Sequence, residues 1–116
     1  MVGPKTMASH IAPAIGPDAT IVGGVPIVLT NNIDQAKEKI AKDLVIYGQL
    51  PSYRAMLDKE GAAGPADIAI IGSASEVADR IMALGEIGVT DFAAVEFGAT
   101  PDEVAETRSM VKSLLK

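Results

Sequence analysis

The residues most suited to chemistry cluster at three predicted strand-to-helix turns. Gly72-Ser73 opens a helix, where unpaired backbone N–H groups and the positive dipole end suit an anion. Ser73 and Glu76 are also spaced as a capping box, which would use those donors internally. Gly98-Ala99-Thr100 makes a similar helix start, but Asp102 and Glu103 crowd it with negative charge. Glu96 ends an alternating segment with Phe92, Ala94 and Glu96 on one face and Ala93, Val95 and Phe97 on the other. If the second face meets helices, Glu96 points away from them, toward the carboxyl-end mouth of the sheet; otherwise it is a solvated strand-end carboxylate. Asn31 and Asn32 follow another strand, and helix capping accounts for both.

Several chemistries are disfavoured. His10 is the one histidine and has no orienting partner by spacing, so a surface helix position is expected for it. With no cysteine and no carboxylates at ligand spacing, a metal site is not expected. No phosphate-loop, dinucleotide or nucleophile-elbow pattern occurs. A net charge of −5 would repel nucleic acid and anionic bilayers, and no basic stripe offsets it. No apolar run approaches about 18 residues, so no membrane span is expected. The N-terminus lacks a signal pattern, which makes a cytoplasmic protein the expectation.

The elements that must position these residues follow from the apolar pattern. Hydrophobic residues make up 48% and aromatics 3%, a balance of Ala, Val, Ile and Leu that favours a covered parallel sheet. Residues 5–15 suit a short helix that Pro13 ends or kinks. Ile21 to Thr30 reads as a strand, with Gly23, Gly24 and Pro26 marking a bulge or an edge in its first half. Asn32 caps a helix that carries Ile33, Ala36, Ile40, Leu44 and Tyr47 on one face until Gly48 interrupts it. A second helical piece runs from Pro51 to about Lys59, with Tyr53, Met56 and Leu57 at the spacing of helix packing. Ile68 to Ile71 is a short strand; Ser73 opens a helix through Val77, Ile81 and Leu84; Thr90 to Phe97 is a strand. Thr100-Pro101-Asp102-Glu103 starts the last helix, which is expected to bury Val104, Thr107, Val111 and Leu114/Leu115 and to end in Lys112 and Lys116. Residues 1–116 therefore read as one α/β domain with parallel strands and right-handed crossovers. Two clear strands and one short one leave open edges and faces, so the chain is expected to borrow a neighbour, either another copy or missing sheet.

The sequence also resembles a known family. Gly3-Pro4-Lys5-Thr6 with His10-Ile11-Ala12-Pro13, and Gly24 through Asn32, are similar to late segments of luciferase-like oxidoreductases. The run Tyr47-Gly48-Gln49-Leu50-Pro51-Ser52-Tyr53-Arg54-Ala55-Met56-Leu57-Asp58 resembles the subgroup that uses the deazaflavin coenzyme F420. Gly72-Ser73 with Glu76-Val77, and Gly88 to Phe92, extend the likeness across the chain, which matches about the C-terminal third of a full-length member. The resemblance implies a partial TIM (β/α)8 barrel consisting of the last βα units, with the cofactor at the carboxyl-end mouth. It implies that Gly72, Ser73, Glu96 and Lys5 help bind coenzyme F420 or FMN, with Lys5 placed after the sixth strand. The family's hydride-handling residues lie in earlier strands that have no counterpart here. The implied function is a fragment of an oxidoreductase or monooxygenase, inactive alone. The competing reading is a non-catalytic α/β module that self-assembles through open sheet edges, and a third is a free-standing small binding domain.

Overall fold

A computed structural model describes residues 2–115, so Lys116, expected in the last helical turn, lies outside the described residues. The chain forms three parallel strands, β1 (Val22–Leu29), β2 (Ile70–Gly72) and β3 (Asp91–Glu96), in the order β2-β1-β3. Among the described residues, six α-helical segments accompany them: α1 (Pro4–Thr6), α2 (Ala12–Ile15), α3 (Ile33–Asp43), α4 (Pro51–Glu60), α5 (Ala74–Glu86) and α6 (Pro101–Ser113). The α/β class and the parallel sheet agree with the sequence pattern. The strand order differs from a simple sequential one, because β2 and β3 lie on opposite sides of β1.

That order follows from where the crossovers run. From β1 to β2 the chain passes over one sheet face, where Val28, Ile71 and Ala69 pack against Ala36 and Ile40 of α3. From β2 to β3 it passes over the other face, where Val25, Ile27 and Ile70 pack against Val77 and Leu84 of α5. Two right-handed crossovers on opposite faces must step in opposite directions. β1 therefore ends up in the middle. Ile27 pairs with Ile70 on one side and Glu96 on the other, and its side chain is fully buried.

Pro26 sits within this central strand without breaking it. Ile27 accepts from the Phe97 N–H on the β3 side, and the Thr30 N–H donates to Gly72 on the β2 side. By strand alternation the nitrogen of Pro26 faces β2, whose pairing begins only at Ile27. The first half of β1 is thus an edge on that side, as Gly23, Gly24 and Pro26 suggested.

The N-terminal helical stretch is wound more widely than expected. Between α1 and α2, residues Met7–Ile11 form a π-helical turn, with the Ala12 N–H reaching back to Met7. Pro13 lies just beyond; it has no N–H, and its ring displaces the carbonyl of residue 9, which a wider turn accommodates. Met7 is buried in the main core, and the start of α1 is held by Glu60 at the end of α4. The Glu60 carboxylate accepts from the Lys5 N–H at 2.9 Å, the Thr6 N–H at 2.8 Å and the Thr6 hydroxyl at 2.7 Å. α3 stops at Asp43, earlier than its apolar spacing suggested, and Val45–Gly48 continues as a tighter 3₁₀ turn.

At the carboxyl end of β1 the sheet ladder passes to a side chain. Thr107 on α6 is fully buried; its hydroxyl accepts from the Leu29 N–H at 3.0 Å and donates to the Glu103 carbonyl at 2.8 Å. Thr107→Val keeps the shape and orphans the half-buried Leu29 N–H. We expect it to lower unfolding free energy by about 1–3 kcal/mol in urea denaturation. An unchanged midpoint would show that water satisfies that N–H.

Candidate functional site

Parallel α/β sheets carry their sites at the carboxyl ends of the strands. Gly72 and Ser73 lie at that end of β2, and Glu96 at that end of β3. They are separated by β1, which pairs with Gly72 through Leu29 and with Glu96 through Ile27.

At the Gly72-Ser73 turn the capping box is complete. Ser73 Oγ accepts from the Glu76 N–H at 3.4 Å, and a Glu76 carboxylate oxygen accepts from the Ser73 N–H at 2.8 Å. The Ser73 N–H, followed by the Ser73 hydroxyl, holds the Glu76 carboxyl below the ordinary carboxylate range. A carboxylate of the chain itself therefore occupies the anion-attracting helix start. Gly72 is needed for this fit, since a Cβ there would stand 2.6 Å from the Glu76 oxygen.

The loop after β3 repeats the arrangement. Thr100 Oγ1 accepts from the Glu103 N–H at 3.2 Å, and the Glu103 carboxylate accepts from the Ala99 N–H at 3.2 Å. A Cβ on Gly98 would stand 2.9 Å from the Val104 nitrogen, so the turn requires glycine. After β1, Asn32 Oδ1 caps α3 by accepting from the Gln35 N–H at 3.2 Å. All three turns at the carboxyl end thus answer helix-start donors with the chain's own acceptors.

Glu96 faces α6. Phe92 and Ala94 are partly buried against the core that includes Met110 and Val111, whereas Ala93 and Val95 are exposed. The condition that would have aimed Glu96 away from the helices therefore does not hold. Its carboxylate accepts from Arg108 Nε at 3.0 Å, and that bond holds its carboxyl below the usual range. Arg108 lies twelve residues downstream, and no short-range spacing rule in the sequence links the two.

Lys5 lies elsewhere. With Arg80 it lines a cavity of about 360 Å³ whose other walls include Val25, Ile68, Ile70 and Leu84. Gly72, Ser73 and Glu96 are not among the residues that line it. His10 is exposed on the π-helical turn, and the described residues contain no cluster of three or more metal-ligating side chains. No described helix is long and apolar enough to cross a membrane.

The run from Tyr47 to Asp58, the most distinctive in sequence, makes a specific local structure. Tyr47 and Tyr53 pack edge to face with ring centroids 4.7 Å apart. Arg54 donates to Asp58 and to the carbonyls of Ala62 and Ala63, each within 2.9 Å, and so clamps the loop that leads to β2. Arg54, Glu60 and Arg80 are polar side chains that sequence reasoning passed over, because most of their partners are backbone groups, which carry no residue-type signal.

No family model matches this chain, nor does any curated protein or solved structure.

Both lowered carboxyls stabilise the fold when ionised. Their contribution is complete above the ordinary value of 4.5 and is lost as pH falls through the lower folded values. Relative to wild type, the double variant Glu76→Gln with Glu96→Gln should be less stable at pH 7, and the gap should close as pH falls below 4.5 and through the lower folded values. Urea midpoints of the two proteins between pH 7 and pH 3 test this; a gap that stays constant with pH contradicts it.

Proposed function

We propose that this chain is a non-catalytic α/β module that associates over the uncovered part of its sheet. The observation that carries this reading is the half-bare face around β3. α3 covers the carboxyl end of that face at Val28 and Ile71, and Pro26 beside them is buried, but the positions beyond stay open. Val22 is 64% exposed and Val95 47% exposed, with Ala93 open between them. Val45, Ile46 and Leu50 are also exposed and lie on either side of Tyr47, which borders the same face with Tyr53, Gly24 and Pro26. Apolar strand surface of this kind marks a contact with further protein.

Two modes of association are open to such a sheet, and charge separates them. Antiparallel pairing of two β3 edges, centred on Ala93-Ala94, would set Asp91 of one copy opposite Glu96 of the other. Like charges directly opposed destabilise a strand pair. Packing of face on face buries Val22, Ala93 and Val95 without that conflict, and we take it as the mode. Light scattering of the purified chain at tens of micromolar should give a dimer or larger species. Val95→Lys should return it to monomer while thermal stability stays within a few degrees. A wild-type monomer at that concentration sinks the reading.

The luciferase-like oxidoreductase fragment is a second reading, favoured by the placement of Gly72, Ser73 and Glu96 at the carboxyl ends of parallel strands. A (β/α)8 barrel sets chain-consecutive strands side by side, which the order β2-β1-β3 does not. On this reading, strands outside the chain would supply both the barrel closure and the groups that handle hydride. Titration with coenzyme F420 and with FMN, read by ligand fluorescence, should show no saturable binding to the chain alone. Binding that is lost in Ser73→Ala would favour the oxidoreductase reading over the module.

A further inference from the structure

We propose that the cavity beneath α5 binds a small apolar carboxylate, its hydrocarbon part against Ile68, Ile70 and Leu84 and its anionic end between Lys5 and Arg80. The volume, about 360 Å³, falls within the range of small-molecule pockets, and seven of the nine lining residues are apolar. Its floor is the sheet face that carries Val25 and Ile70, both buried, so the cavity is set into the main core. Lys5 and Arg80 are the exposed lining residues that bear charge, and both are cations. A mostly apolar wall with two positive groups at its rim is complementary to an amphipathic anion.

The cations are free to act. Among the described residues neither Lys5 nor Arg80 makes an ion pair, in a chain whose net charge is −5. Arg80 donates one guanidinium N–H to the Ala69 carbonyl at 3.2 Å, which anchors the group beside β2 and leaves four donors. Lys5 is held in place through its backbone N–H, bound by Glu60. The Glu60 carboxylate is an opposing charge that touches this segment, and its three bonds to Lys5 and Thr6 already engage it. Asp79 and Glu86 on α5 are not among the lining residues.

The site lies on the sheet face opposite Val22, Ala93 and Val95, so it stands independently of the association proposed above. Octanoate is the probe, followed through the methyl NMR signals of Val25, Ile68, Ile70 and Leu84. Saturable shifts at these methyls are expected, with weaker binding by octan-1-ol. Arg80→Ala and Lys5→Ala, both at exposed positions, should each weaken octanoate by roughly three- to tenfold. Ala83→Trp, which fills the cavity from α5, should abolish binding while the spectrum stays dispersed. Val95→Lys should bind as wild type does. The proposal is overturned by an absence of saturable shifts, by octan-1-ol binding as tightly as octanoate, or by cation variants with unchanged affinity. Shifts at these methyls on dilution without any ligand would also overturn it, since they would make the cavity a seam between copies.

Discussion

Every sheet contact in this molecule passes through β1. β2 and β3 are not paired with each other, so the central strand alone links the two edge strands of the sheet. Ile27 is the hub, paired on both sides and sealed on its own face. A strand in that position must satisfy two ladders and two packed faces at once. Its sequence does so unevenly: Ile27 meets both neighbours, Val28 and Leu29 pair only with β2, and Val22 to Pro26 pair only with β3. The proline and the glycines fall where one ladder is missing, and they are tolerated for that reason. The exposed apolar face and the cavity beneath α5 both adjoin this thinner half of the sheet.

The carboxyl end of the sheet is built differently. There each turn closes on itself: Asn32, the Ser73–Glu76 box and the Thr100–Glu103 pair answer the helix-start donors. Thr107 likewise ends the β1 ladder from a neighbouring helix. Such a rim is rigid and polar but offers outside anions little that is unclaimed. The two ends of the sheet therefore differ: the carboxyl end is capped by the chain's own side chains, and the opposite half is apolar and partly bare.

Much of this was legible in the residues. The three strands, the Ser73 and Thr100 caps and the buried Thr107 each follow from local pattern, because apolar alternation and cap spacing act over a few residues. The side of the sheet that Glu96 faces could not be read, since it depends on α6 crossing one face and on Arg108 arriving there. The strand order was hidden for a similar reason: which side of β1 receives β3 is set by which face α5 covers, a tertiary choice. Lys5 stands out in the sequence for its chemistry and Arg80 does not, because the two come to line one cavity only when α1 packs against the end of α4. The early end of α3 reflects Val45–Gly48 tightening under the Tyr47–Tyr53 contact, where packing overrides helical spacing.

The wide separation of the paired strands has a kinetic side. Ile21 bonds to Thr90 across 69 residues, and no strand pairs with one that follows it by a short hairpin. Nearly all the sheet's ordering entropy must therefore be spent before any ladder forms, which places this small domain among slow folders for its size. While β1 waits for both partners, its apolar run is open on two edges, and Pro26 and the paired glycines then act as brakes on premature strand association.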